Sequence, residues 1–206
     1  MYQGPLKQTN GALDLAISGL GFLTLASAND TENRFYTRDG SLGLSSNGEV
    51  INQQGLNLLA HPVIGDATYN PAIFEKVTIQ PNFTDALGNT RILTNINVSS
   101  SGVLKAIYGL DKEIVIAKIP LTSFENIESL QSAGNNLFTP STESGEPIVG
   151  IALEKNMGEI IPGFLEGSNV EITDELVKML KYQQAYTGNS KLLQTEIDIT
   201  RRLIDS

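Results

Sequence analysis

The stretch Phe35-Tyr36-Thr37-Arg38-Asp39-Gly40-Ser41-Leu42-Gly43-Leu44-Ser45-Ser46-Asn47-Gly48-Glu49-Val50-Ile51 decides the fold class. Short apolar runs alternate with Asp39-Gly40 and Asn47-Gly48, dipeptides that readily take the left-handed backbone a tight hairpin turn requires. Two such signals in quick succession predict an antiparallel meander, Phe35-Tyr36 folding back on Leu42-Gly43-Leu44 and that run on Val50-Ile51. The texture continues upstream. Residues 13–17 and 22–25 read as strands separated by a turn or bulge at Gly19-Leu20-Gly21, and 28–33 reads as a polar loop before the pattern resumes at 34–38. Downstream, 74–79, 91–98, 103–108 and 113–121 are predicted strands, joined by turns at Ser99-Ser100-Ser101-Gly102 and Gly109-Leu110-Asp111. A short helix is expected over 124–133, capped by Ser123 with Glu125 in its first turn. Residues 139–147, with two prolines, read as a surface loop.

The texture changes from residue 173 to about 205. Proline is absent there, Gly188 is the only glycine, and aliphatic and charged residues recur at helical spacing. Thr173-Asp174-Glu175 offers an N-cap followed by acids in the first turn, and a helix of roughly 33 residues would be about 50 Å long. Ile172, Leu176, Met179 or Leu180, Gln183, Tyr186, Ser190, Leu193, Ile197, Thr200 and Ile204 fall on one narrow stripe. Such a helix either lies on its own β domain or forms a coiled-coil seam that needs another helix. Its length, against a domain some 30 to 40 Å across, favours the seam. The expected fold is therefore mainly β: an antiparallel β-rich domain over 1–168, with room for a small insertion around 60–100, followed by a long C-terminal helix over 169–206.

Composition narrows the chemistry. The 206 residues carry 14 Lys+Arg against 23 Asp+Glu, a formal charge of −9, with no cationic run for nucleic acid or an anionic membrane. The absence of cysteine removes disulfides, thiol nucleophiles and thiolate metal sites, and the single His61 removes any scheme needing two imidazoles. No catalytic residue, cofactor site or metal site is assigned. Gly19-Leu20-Gly21 lacks the third glycine of a dinucleotide loop. His61, followed by Pro62, reads as a loop residue, and Asp85, Asp111 and Glu113 read as solvated turn charges. Asn29-Asp30-Thr31, Asn82-Phe83-Thr84 and Asn97-Val98-Ser99 match the N-glycosylation pattern, but a match that short arises by chance, and no modification is assigned. No apolar run approaches the about 20 residues that span a bilayer, and Met1-Tyr2-Gln3-Gly4-Pro5 has neither the basic nor the apolar region of a signal peptide. Arg38 reads first as a cross-strand charge and, because a guanidinium fork suits interfaces, as the best candidate in the β part for an intersubunit ion pair.

A resemblance adds to this reading. Gln3-Gly4-Pro5-Leu6-Lys7-Gln8-Thr9, Leu13-Asp14-Leu15-Ala16-Ile17, Gly19-Leu20-Gly21-Phe22 and Tyr36-Thr37-Arg38-Asp39-Gly40-Ser41-Leu42 are similar to blocks of the bacterial flagellar rod and hook family of axial proteins. So are Gly134-Asn135-Asn136-Leu137-Phe138, Gly163-Phe164-Leu165-Glu166-Gly167-Ser168-Asn169-Val170, and Glu175-Leu176-Val177 through Tyr186 to Asn189-Ser190-Lys191 and Gln194-Thr195. The blocks occur in the family's order over nearly the whole chain. Leu23 and Leu42 stand where the family usually has Phe, and the helical segment that precedes the Gln-Gly block in the family has no counterpart in this sequence.

The resemblance implies a structural subunit with no chemistry. It would be exported by the flagellar type III apparatus and stacked helically, in the periplasmic rod or the extracellular hook, into a tube that transmits torque. Its partners would be other copies of itself and neighbouring rod and hook proteins, with no nucleic acid and no small-molecule substrate. The assembly residues would be Leu176, Leu180, Leu193, Ile197 and Ile204 on the helix, with Arg38 in the β part. The version Gly163-Phe164-Leu165-Glu166 leans towards the distal rod over the hook. A secreted β-rich adhesin and, less favoured, a carboxylate-dependent hydrolase are the alternatives.

Overall fold

A computed structural model of the chain describes residues 3–28, 30–64, 68–84, 88–110, 112–154, 156–168 and 172–204. The chain divides into two compact units, Met1–Gly167 and Ser168–Ser206. Antiparallel strands build the first unit, and the second contains the helix Ile172–Ile204.

The main sheet of the first unit has a spatial order that departs from chain order. It runs Asn82–Thr84, Thr90–Val98, Val103–Tyr108, Lys112–Lys118, Asn57–Ile64, Leu23–Ser27, Asp30–Thr37, Leu137–Thr139 and Gln131–Gly134. Alternation of side chains explains the strands. In Val103–Tyr108 the inward Leu104, Ala106 and Tyr108 are buried while Val103, Lys105 and Ile107 are half-buried on the other face. Leu23–Ser27 is buried on both faces, and the one hydroxyl this places inside the core, that of Thr24, is matched by Thr122 at 2.9 Å. Three further antiparallel pairs brace the sheet: Leu15–Ser18 with Glu159–Pro162, Pro120–Ser123 with Ile148–Ile151, and Leu6–Gln8 with Phe164–Glu166. The main core gathers Leu15, Ile17, Leu25, Leu58, Ile79, Leu104, Ile119, Leu121 and Ile160, and a smaller aromatic cluster holds Phe22, Tyr36 and Phe124.

The Asn47-Gly48 hairpin forms as the sequence predicts, joining Leu42–Leu44 to Val50–Asn52 with Gly48 at φ +78°. Asp39-Gly40 behaves differently. Asp30–Thr37 pairs with Leu23–Ser27 and Leu137–Thr139, not with Leu42–Leu44. The Asp39 N–H donates to the Thr37 hydroxyl, Asp39 Oδ1 accepts from the Ser41 N–H, and the Gly40 carbonyl accepts from the Leu15 N–H at 3.0 Å. A Cβ on Gly40 would lie 1.8 Å from the Leu15 carbonyl oxygen, so the glycine serves close approach at a corner between sheets.

Four other expectations are corrected. The polar residues from Asp30 onward belong to the strand Asp30–Thr37, because pairing with Leu23–Ser27 outweighs their local preference. The helix expected over 124–133 is a single 3-10 turn, Ile127–Ser129. Asn126 and Ser129 bond each other there, and Gln131–Gly134 is drawn into a hairpin with Leu137–Thr139 through Asn135-Asn136, both left-handed. The strand expected over 74–79 is reduced to Glu75–Lys76, although Val77 and Ile79 hydrogen-bond onward to Leu58 and Gly48. Finally, His61 lies within the strand Asn57–Ile64 and is 1% exposed. Its Nδ1 is 2.8 Å from the Ile73 carbonyl oxygen, and its ring packs beside Tyr69 and Phe74.

Candidate assembly interface

The helix Ile172–Ile204 has no glycine before Gly188 and no proline, which lets it run unbroken. Leu176, Leu180, Leu193, Ile197 and Ile204 are between 49% and 78% exposed. Leu176, Gln183, Ser190, Ile197 and Ile204 recur every seven residues, and Met179, Tyr186, Leu193 and Thr200 form the companion row three residues on. That is a heptad seam, polar at its middle and apolar at its ends. Large apolar side chains thus stand in solvent at both ends of the row, and exposed apolar patches of this kind mark candidate interaction surfaces. The N-cap expected at Thr173 with Asp174 and Glu175 involves side chains outside the described residues.

The second feature is a clasp where the first unit's first and last strands meet. Leu6, Lys7 and Gln8 oppose Glu166, Leu165 and Phe164. The Gly167 N–H donates to the Pro5 carbonyl at 2.8 Å, and the Thr9 N–H donates to the Gly163 carbonyl at 2.7 Å. Glu166 closes the pair by accepting the Gly4 N–H on Oε1 and Arg38 Nε on Oε2, both at 2.9 Å. The rest of the guanidinium fork donates to carbonyls: Nη2 to Ile17 at 3.0 Å, and Nη1 to Gly19 at 3.0 Å and Gly21 at 3.2 Å. Gln3 completes the cluster, donating to the Ile17 carbonyl and accepting the Gly19 N–H, each at 3.2 Å. Gly19 and Gly21 are both left-handed, which turns these carbonyls towards the arginine.

Arg38, read first as a cross-strand charge and also as the β part's candidate for an intersubunit ion pair, directs four hydrogen bonds into its own chain. Glu166 and Gln3 were legible as parts of sequence blocks but carried no assigned role. The five helix residues lie apart from this cluster in sequence and belong to the second unit. Of the other residues weighed, Glu113 pairs with Lys105 at 3.0 Å on the surface, whereas Asp85, Asp111 and Asn29 lie outside the described residues. Among the described residues, no three His, Asp or Glu side chains come together as a metal site would require.

Comparison with known proteins gives two family matches. Residues 16–106 match the flagellar hook protein FlgE/F/G D1 domain, and residues 161–206 match the flagellar basal body rod FlgEFG protein C-terminal domain. The chain is 31% identical over 202 residues to the flagellar basal-body rod protein FlgG of Buchnera aphidicola from Acyrthosiphon pisum, covering 98% of this chain and 67% of that protein. It is 33% identical to the FlgG of Borreliella burgdorferi, covering 94% of this chain and 64% of that protein. Against the flagellar hook protein FlgE of Brucella abortus the identity is 33% over 113 residues, 55% of this chain and 28% of the hook protein.

Proposed function

The chain belongs to the family of flagellar basal-body rod and hook proteins, and on that premise we propose that it works by being stacked, as a structural subunit of the flagellar axis that transmits torque. The observation that carries the proposal is the exposed seam of the terminal helix. Burying Leu176, Leu180, Leu193, Ile197 and Ile204 would contribute about 1.5–3 kcal/mol each if complete, and helices of other subunits are the natural cover. Repeated contacts between unlike surfaces generate an open filament, not a closed ring.

The reading extends to finer points. The likeness to rod proteins runs along nearly the whole chain while that to the hook protein covers about half, which favours the rod, and we place the chain in its distal part. Its partners are other copies of itself and the rod and hook proteins adjoining it, and it carries no catalytic activity. Export through the flagellar type III apparatus follows from the same membership. Arg38 acts in assembly indirectly, by holding the strand that leads to the helix.

Deleting the gene, then recording swimming and imaging basal bodies by electron microscopy, tests the proposal. Loss of motility with rods absent or shortened is expected. A deletion strain that swims with intact rods and hooks would overturn it, and a β-rich adhesin, detected as lost surface attachment, would take its place.

A further inference from the structure

The sequence holds two Asn-Gly pairs, Asn10-Gly11 and Asn47-Gly48. Such a pair is chemically labile, because a backbone nitrogen next to a residue without Cβ can reach the asparagine side chain and close a five-membered ring. Whether it does so in a folded chain depends on how firmly that nitrogen is held.

Asn47-Gly48 is held at every point. The Gly48 N–H donates to the Ser45 carbonyl at 2.9 Å, the Ser45 N–H to the Glu49 carbonyl at 2.8 Å, and the Ile79 N–H to the Gly48 carbonyl at 2.7 Å. Neither Ser46 nor Asn47 is left-handed, which makes Ser45 to Gly48 a type I turn with Asn47 at its third position, where ψ is about 0°. Ring closure swings Asn47 far from that ψ and strips the Gly48 N–H of its acceptor, so the turn must open first.

Asn10-Gly11 is anchored on either side but not at the peptide that joins the two residues. The Thr9 N–H donates to the Gly163 carbonyl at 2.7 Å, and the Gly11 carbonyl accepts the Asp14 N–H at 3.2 Å. Asn10 is exposed, and among the described residues neither its side-chain amide nor the Gly11 N–H has a hydrogen-bond partner. Nothing there has to break before the ring forms.

We infer that Asn10 is a deamidation site of the folded chain and that Asn47, in the same dipeptide, is not. The Gly11 nitrogen gives its proton to solvent and attacks Asn10 Cγ. The new C–N bond closes a succinimide as the Cγ–Nδ2 bond breaks, and ammonia leaves with a proton from solvent. Water then opens either ring carbonyl, giving aspartate or isoaspartate. Isoaspartate carries the former side-chain methylene in its main chain, and so lengthens the link between the clasp strand Leu6–Gln8 and the bridge of Asp14 to Ser41.

The test incubates the purified chain near neutral pH, native and in guanidinium chloride. Peptide mass spectrometry reads amide loss at each asparagine, and isoaspartyl methyltransferase labels the isoaspartate. In the native chain Asn10 is expected to convert at least about tenfold faster than Asn47, which reacts only from the opened turn. In denaturant the two rates converge, because the dipeptides are then alike. Gly11→Ala slows conversion at Asn10 by a similar factor, since a Cβ there hinders the attacking nitrogen and displaces only the movable Asp14 carboxylate. Equal native rates at the two asparagines, an Asn10 slowed by folding as much as Asn47, or conversion at Asn10 indifferent to Gly11→Ala would overturn the inference.

Discussion

At Arg38 and Glu166 two side chains 128 positions apart in sequence meet with only 16% and 13% of their surface exposed. Removing the guanidinium leaves Glu166 Oε2 and the Gly19 and Gly21 carbonyls without that donor, while the Ile17 carbonyl keeps Gln3, and a partly buried charge without its partner costs more than a surface pair ever contributes. Arg38→Ala should lower the stability of the β unit by on the order of 2–3 kcal/mol in urea unfolding, with Arg38→Lys recovering only part because an ammonium cannot fork. An unchanged midpoint would mean the clasp is inert. His61 gives a second residue-level prediction. Burial pushes its pKa below the ordinary 6.5, and the hydrogen bond to Ile73 opposes this only in part. Folding therefore favours neutral His61. Its contribution is complete above about pH 6.5 and is lost as pH falls below that, because the unfolded chain takes the proton first. Comparing unfolding midpoints at about pH 7.5 and 5.5 should show a larger acid loss in the wild type than in His61→Gln, and equal losses would refute the assignment. Neither residue's role was legible locally. Arg38 stood out as a charge in a motif, but its partner is far away in sequence, and Pro62 made a buried strand look like a loop.

The helix was legible almost to its ends because nothing competes with a glycine-poor, proline-free stretch whose apolar residues repeat. Strands were legible where alternation was sustained, as in Val103–Tyr108, and illegible where tertiary pairing alone made them. Leu6–Gln8, Glu159–Pro162 and Phe164–Glu166 are three or four residues long and exist because a distant strand pairs with them. The two hairpin signals show the same limit. At Asn47-Gly48 the left-handed glycine is required, and at Asp39-Gly40 the glycine answers a contact with Leu15 that no local pattern reveals. Gly48→Ala tests the first case. Its Cβ would fall 2.3 Å from the Ile79 carbonyl oxygen at φ +78°, so a loss above about 1 kcal/mol is expected in thermal or urea unfolding. A neutral result would show that the hairpin does not depend on that conformation.

At the scale of the whole molecule, the β unit has its own core and the helix carries an exposed heptad seam, to which the proposed function assigns the contacts between subunits. The net charge of −9 makes separate copies of the chain repel one another, which opposes non-specific association through exposed apolar residues. The proposed function assigns stacking to the seam, whose residues lie outside the β core. The most direct measurement pairs Leu193→Asp with Ile197→Asp in the chromosomal gene, and follows motility and basal-body structure by electron microscopy alongside urea unfolding of the purified chain. A β unit that unfolds as in the wild type, in cells that do not swim and lack complete rods, is the predicted result. Full motility and intact rods with two carboxylates in the seam would contradict the account.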